Sequence, residues 1–179
     1  MTTLVTYNFS DPQHSSKSGG IAPSSCKSGK NPCYRAGANA SIGPLSCNNG
    51  VYQNCAYTAS EGIGVIAQGS CNGGFGACWS NGKFGTGIIG GSSCRSTGKK
   101  VSERTCSHNG FWKGTTGKIG NNACNANFAC NANTGVIASG CCNYKGACNR
   151  NKATIFKGTR DCVGSAKVSL NYHLFVISF

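Results

Sequence analysis

The sequence is short of acids. Asp11, Glu61, Glu103 and Asp161 are the only carboxylate side chains in 179 residues, against seventeen lysines and arginines. Glycosidase chemistry asks for two carboxylates at close range, and Glu61, Glu103 and Asp161 fall in three different repeats, so an enzyme of that kind is not expected. Leucine, glutamate and glutamine are scarce as well, with four, two and three copies. These straight-chain residues favour helix, and glycine and asparagine, which abound here, do not. No segment approaches the roughly 20 apolar residues needed to span a bilayer. No C-x-x-C occurs, and His14, His108 and His173 are scattered, so no metal site is expected. The glycine runs, such as Gly73-Gly-Phe-Gly76, lack the Lys-Ser/Thr of a phosphate loop, and no cofactor is expected.

What is present is cysteine, glycine and positive charge. Fourteen cysteines, an even number, suit a disulfide framework in an oxidising compartment. The start, Met1-Thr-Thr-Leu-Val-Thr-Tyr-Asn8, has neither a basic region nor a long apolar run, so no secretory leader is legible. That sits awkwardly with the cysteine usage. Asn8-Phe-Ser10 and Asn39-Ala-Ser41 match the N-glycosylation pattern. The net charge of +13 implies attraction to polyanions. Twelve of the seventeen basic residues lie between Arg95 and Lys167, so the field should be lopsided.

One phrase returns along the chain, an isoleucine with a cysteine five positions on. It pairs Ile21 with Cys26, Ile42 with Cys47, Ile66 with Cys71, Ile89 with Cys94, Ile119 with Cys124 and Ile137 with Cys142. A looser copy runs from Ile155 to Cys162. Each of the first six repeats carries a second cysteine, at Cys33, Cys55, Cys78, Cys106, Cys130 and Cys148, which leaves Cys141 as the odd one beside the closing Cys162. The paired cysteines and Cys162 are expected to be structural, bonded as disulfides. Internal repeats of this length, punctuated by Gly and Asn, predict an all-β solenoid (parallel β-helix) of about seven short coils. The repeats cover 19–162, with 1–18 as an N-terminal cap or arm and 163–179 as capping strands, in a single domain. An odd Ile-to-Cys offset puts both side chains inside only if the chain turns between them, and the small residues there allow it. Asn follows Cys six times, at Asn48, Asn72, Asn125, Asn131, Asn143 and Asn149. Stacked asparagines can form a ladder. Stacked coils lie close enough for disulfides between coils, and the paired cysteines are equally close along the chain, so connectivity stays open.

The rhythm breaks once, where thirty residues separate Cys94 from Cys124. The extra stretch mixes base and aromatic: Arg95, Lys99, Lys100, Arg104, His108, Phe111, Trp112 and Lys113. Insertions in solenoids often form the binding face, and such a mixture suits a sugar or a nucleic-acid strand. Cys106 and His108, two apart, also have the spacing of a nucleophile and its base, but Cys106 holds a repeat position and is read as structural. Thr86, Thr116 and Thr134 precede the phrase as Thr-Gly-x-Ile in three successive repeats, a short outward ladder of the kind that could meet ice.

The stretch Ile119-Gly-Asn-Asn-Ala-Cys124 through Cys130-Asn-Ala-Asn-Thr-Gly135 resembles the Cys/Gly/Asn-rich repeat arrays predicted in secreted or surface proteins of diatoms and related algae. The resemblance implies a short-coil β-solenoid in a surface or wall setting and no catalytic residues. This chain departs from it in being strongly basic and in lacking a legible leader.

The expectation is therefore a non-enzymatic structural or adhesive protein, extracellular or at a cell surface, whose basic side binds acidic polysaccharide or another polyanion. Arg95, Lys99, Lys100, Arg104, His108, Trp112 and Lys113 are the expected binding residues, and open solenoid ends would permit end-to-end self-association. An ice- or glycan-binding module is the runner-up, and a nucleic-acid binder comes third.

Overall fold

The computed structural model describes residues 20–27, 32–95, 105–159 and 162. The expected arm over 1–18, the capping strands over 163–179, and Asn8, Asp11, Glu103 and Asp161 lie outside the described residues.

The chain is a parallel β-solenoid with one short strand per coil: β1 (Gly20–Ile21), β2 (Ala40–Ile42), β3 (Ile63–Ile66), β4 (Thr86–Ile89), β5 (Thr116–Ile119), β6 (Val136–Ile137) and β7 (Thr154–Ile155). They form one seven-stranded sheet in chain order, every pair parallel. Coils are numbered here by their strands. The register stacks Ile21, Ile42, Ile66, Ile89, Ile119, Ile137 and Ile155 in one column. From Ile42 onward the column is buried, so the core is one isoleucine wide.

Strand alternation puts the residue two before Ile66, Ile89 and Ile119 inside as well, and there the sequence has Gly64, Gly87 and Gly117. The reason is a second interior column. Asn109 Nδ2 donates to Asn81 Oδ1 (2.9 Å), Asn133 Nδ2 to Asn109 Oδ1 (2.9 Å), and Asn151 Nδ2 to Asn133 Oδ1 (3.0 Å). A Cβ on Gly87 would collide with Asn81 Oδ1, and one on Gly117 with Asn109 Oδ1. Gly87 and Gly117 make room for the asparagines, and Gly64 for Thr58, whose Cγ2 a Cβ there would meet at 2.7 Å.

A third column precedes the first cysteine of each coil. Ser46 Oγ donates to Ala67 O and accepts the Ser70 N–H, and Ser70 Oγ repeats this with Gly90 O and the Ser93 N–H. Small hydroxyls thus satisfy backbone that would otherwise be buried unpaired.

The fourteen cysteines make seven disulfides, and none is free. Six bridges lie within a coil. Cys26 bonds Cys33, Cys47 bonds Cys55, and Cys71 bonds Cys78. Cys94 bonds Cys106, Cys124 bonds Cys130, and Cys142 bonds Cys148. The connectivity left open by spacing is thus settled within the coil for both Cys71 and Cys142: each pairs with the second cysteine of its own repeat, not with a cysteine of the coil above or below. Cys141 alone reaches across a coil boundary, to Cys162. It is therefore structural too, although it stands outside the repeat pattern. In the loop-closure view each short ring contributes roughly 2–3 kcal/mol by restricting the unfolded chain.

The corners use an unusual backbone. Among the described residues, twenty-six non-glycine residues have φ between 48° and 65°, twelve of them cysteines, Cys71 and Cys142 included. Such φ values are uncommon outside glycine. Hydrogen bonds between coils explain them. Cys55, Tyr57 and Ala59 are all left-handed. Their amides donate in turn to Ala77 O in coil 3, Tyr34 O in coil 1 and Asn81 O in coil 3. Alternation of hand lets one segment hold the coil above and the coil below.

Candidate functional site: an aromatic ridge

After the second cysteine the coils differ in length. Ile66 follows Cys55 by 11 residues, Ile89 follows Cys78 by 11, and Ile119 follows Cys106 by 13, whereas Ile137 follows Cys130 by only 7. The additional residues in coils 2, 3 and 4 stack on one another. Glu61 N–H donates to Lys83 O (2.9 Å), Phe84 N–H to Phe111 O (3.0 Å), and Thr86 N–H to Thr115 O (2.9 Å). They raise a ridge beside the sheet.

The ridge is aromatic. Ring contacts run without a break from coil to coil: Tyr34 to Tyr57 (5.6 Å between centroids), Tyr57 to Trp79 (5.9 Å), Trp79 to His108 (4.8 Å), and His108 to Phe111 (4.8 Å). Phe111 then meets Phe84 at 5.2 Å and Trp112 at 5.4 Å. These are edge-to-face pairs, each contributing about 0.5–1.5 kcal/mol beyond area burial. At the crest Trp112 is 49 % exposed.

Cations border the rings. Lys83 Nζ lies 4.7 Å from the Phe84 centroid and 5.1 Å from that of Tyr57, and Arg35 sits 5.2 Å over Tyr34. At the crest, Glu61, Phe84, Phe111, Trp112 and Lys113 line a groove of about 420 Å³. Glu61 is the only side-chain carboxylate among the described residues. The groove therefore offers an apolar platform, one acceptor and one cation. Such a set suits a ring with an apolar face and polar edges.

Of the seven residues expected to bind, the structure brings His108, Trp112 and Lys113 together on this ridge, His108 against Phe111 and the other two at the groove. Arg95 is not with them. It lines a different cleft, which shares no described lining residue with the groove. The bridge from Cys94 to Cys106 is the reason: it closes off the segment that Arg95 opens before the chain reaches His108. Lys99, Lys100 and Arg104 lie outside the described residues. The intervals between first cysteines do not mark Glu61, Lys83 and Phe84. The intervals from second cysteine to isoleucine carry their signal.

Two other candidates resolve simply. Cys106 is bonded to Cys94, so it holds no thiolate for His108 to activate. The sulfurs of Cys26, Cys33 and Cys47 lie near one another, but all three belong to disulfides. On the sheet face Thr86 and Thr116 are register neighbours, with Ile63 beside Thr86 on the other side. The adjacent outward column holds Val65, Ile88, Lys118, Val136 and Thr154.

No family model, curated protein or solved structure matches the chain. No helix among the described residues is long and apolar enough to cross a membrane. Seven disulfides with no free thiol fit an oxidising setting.

Proposed function

We propose that this protein is a non-catalytic, disulfide-stapled solenoid that works outside the cell or at its surface or wall and binds acidic polysaccharide along the aromatic ridge. The observation that carries the reading is the groove of Phe84, Phe111 and Trp112, flanked by Lys113 and Glu61. Sugar rings present C–H faces that lie well on an exposed indole, while Lys113 meets an acidic substituent and Glu61 accepts from hydroxyls. The wider charge favours an anionic polymer: the described residues carry ten Lys and Arg against one carboxylate. One carboxylate at the groove supports binding over glycosidic cleavage, which works with two.

The test is retention on immobilised acidic polysaccharide against a neutral one, with increasing NaCl. Retention should fall steeply with salt, since exposed charges are screened beyond about 10 Å at 0.1 M. Trp112→Ala should weaken retention on the acidic matrix, and Lys113→Gln should flatten its salt dependence. Retention on the acidic matrix unchanged at about 0.5 M salt would remove the electrostatic part of the reading.

A second reading rests on the registered Thr86 and Thr116 pair on the flat sheet face, which could order water as an ice-binding surface. Thermal hysteresis lost on Thr116→Lys and insensitive to Trp112→Ala would favour it over the ridge.

A further inference from the structure

The corner after the first cysteine carries its own ladder, and it is broken once. Lys27 N–H donates to Asn48 Oδ1 (2.8 Å), and Asn48 N–H to Asn72 Oδ1 (2.8 Å). Higher up, Arg95 N–H donates to Asn125 Oδ1 (2.9 Å), and Asn125 N–H to Asn143 Oδ1 (2.8 Å). Between coils 3 and 4 the rung is missing. The residue after Cys94 is Arg95, and a guanidinium offers no acceptor. Among the described residues, nothing accepts the Asn72 N–H.

Both residues at the break, Asn72 and Arg95, line one cleft of about 660 Å³. It extends from Asn49 in coil 2 to Lys145 in coil 6, past Asn125 and Asn127. Among the described residues, two cations and no carboxylate line it. Arg95 and Lys145 are exposed. With coils about 4.8 Å apart, the backbones of Arg95 and Lys145 stand roughly 10 Å from each other along the axis, within reach of their long side chains. An open backbone donor, a guanidinium and an ammonium, bordered by carboxamides, are the parts of an oxyanion site.

We propose that the broken rung is a binding subsite for a sulfate or phosphate group. The anion takes the Asn72 N–H and the Arg95 guanidinium, and Lys145 supplies the second positive charge. The same oxygens come either as the free inorganic ion or as an ester on a polymer lying along the cleft. This site is separate from the aromatic groove and does not rest on the reading given to it.

The experiment is an amide NMR titration of the full chain with sodium sulfate, against sodium chloride at matched ionic strength. The Asn72 amide should shift saturably with sulfate alone. Arg95→Asn restores an acceptor at the missing rung, so this variant should melt at or above the wild-type temperature yet bind about tenfold or more weakly, a loss of about 1.4 kcal/mol. Lys145→Gln should weaken binding less, and Trp112→Ala should leave the Asn72 shift intact. A sulfated polysaccharide that shifts Asn72 at far lower sulfate-equivalent concentration than the inorganic ion assigns the subsite to an ester. Equal potency assigns it to the free anion. No saturable shift at Asn72 with either probe, or a full shift kept by folded Arg95→Asn, overturns the proposal.

Discussion

Asn109 Nδ2 donates to Asn81 Oδ1 across 2.9 Å, one coil apart, with both side chains wholly buried. Asn109 also donates to Gly117 O and accepts from Asn133. Asn109→Asp keeps the shape but loses the donor to Asn81 Oδ1. The variant should lose roughly 1–3 kcal/mol at neutral pH, the cost of an unpaired buried polar group, and more if the carboxylate stays ionised. Burial raises the folded-state pKa of such an acid, so the deficit should shrink below the ordinary carboxylate pKa and grow as pH rises. Denaturant midpoints at about pH 3 and pH 7, either side of that range, each relative to wild type, check this.

Glycine should be irreplaceable at the inward strand positions that face an interior asparagine. Gly87→Ala brings a Cβ onto Asn81 Oδ1, with the Asn109 backbone oxygen 2.6 Å away. The expected cost is about 1–3 kcal/mol from overpacking. Gly114→Ala is a weaker substitution to compare: its Cβ meets nothing within 4 Å, and only its φ of 77° opposes alanine.

The isoleucine column separates inside from outside within one strand. Ile89 is fully buried and its neighbour Ile88 faces outward. Ile89→Ala should cost about 2–5 kcal/mol and Ile88→Ala less than half of that. Equal losses would contradict a core one residue wide.

Ser80 is a place where the fold carries avoidable cost. It has φ of 60°, is buried, and its Oγ has no partner among the described residues. Ser80→Gly relieves the backbone and removes the unpaired hydroxyl, at an entropic cost of about 0.5–1 kcal/mol. The expected outcome is unchanged or raised stability by thermal unfolding, where most interior substitutions lower it.

Much of the fold was legible from the phrase that repeats. Ile42 and Cys47 both point inward because the corner between them turns, and the asparagines after cysteine do form ladders, as Asn48 with Asn72 and Asn131 with Asn149 show. Other features were hidden for physical reasons. Spacing made contacts between coils and contacts within a coil equally near. The bond of Cys71 to Cys78, or of Cys142 to Cys148, could therefore not be told from a bridge between coils, and the bond of Cys141 to Cys162 does run between coils. Asn81, Asn109 and Asn133 each follow a second cysteine by three residues, yet a lone asparagine reads as a surface turn until a facing glycine is seen to admit it. The ridge joins Glu61, Phe84 and Trp112, which lie far apart in sequence and meet only because their loops stack in register.

The most direct test of the proposed role reports from the groove itself. In a Trp79→Phe background Trp112 is the sole tryptophan, and its exposed indole emits to solvent. Titration with an acidic polysaccharide should shift that emission to the blue and saturate, with the shift reversed by about 0.5 M NaCl through screening and weakened by Lys113→Gln. Saturable binding of the polysaccharide that leaves Trp112 emission unchanged would contradict the assignment of the ridge as the binding surface.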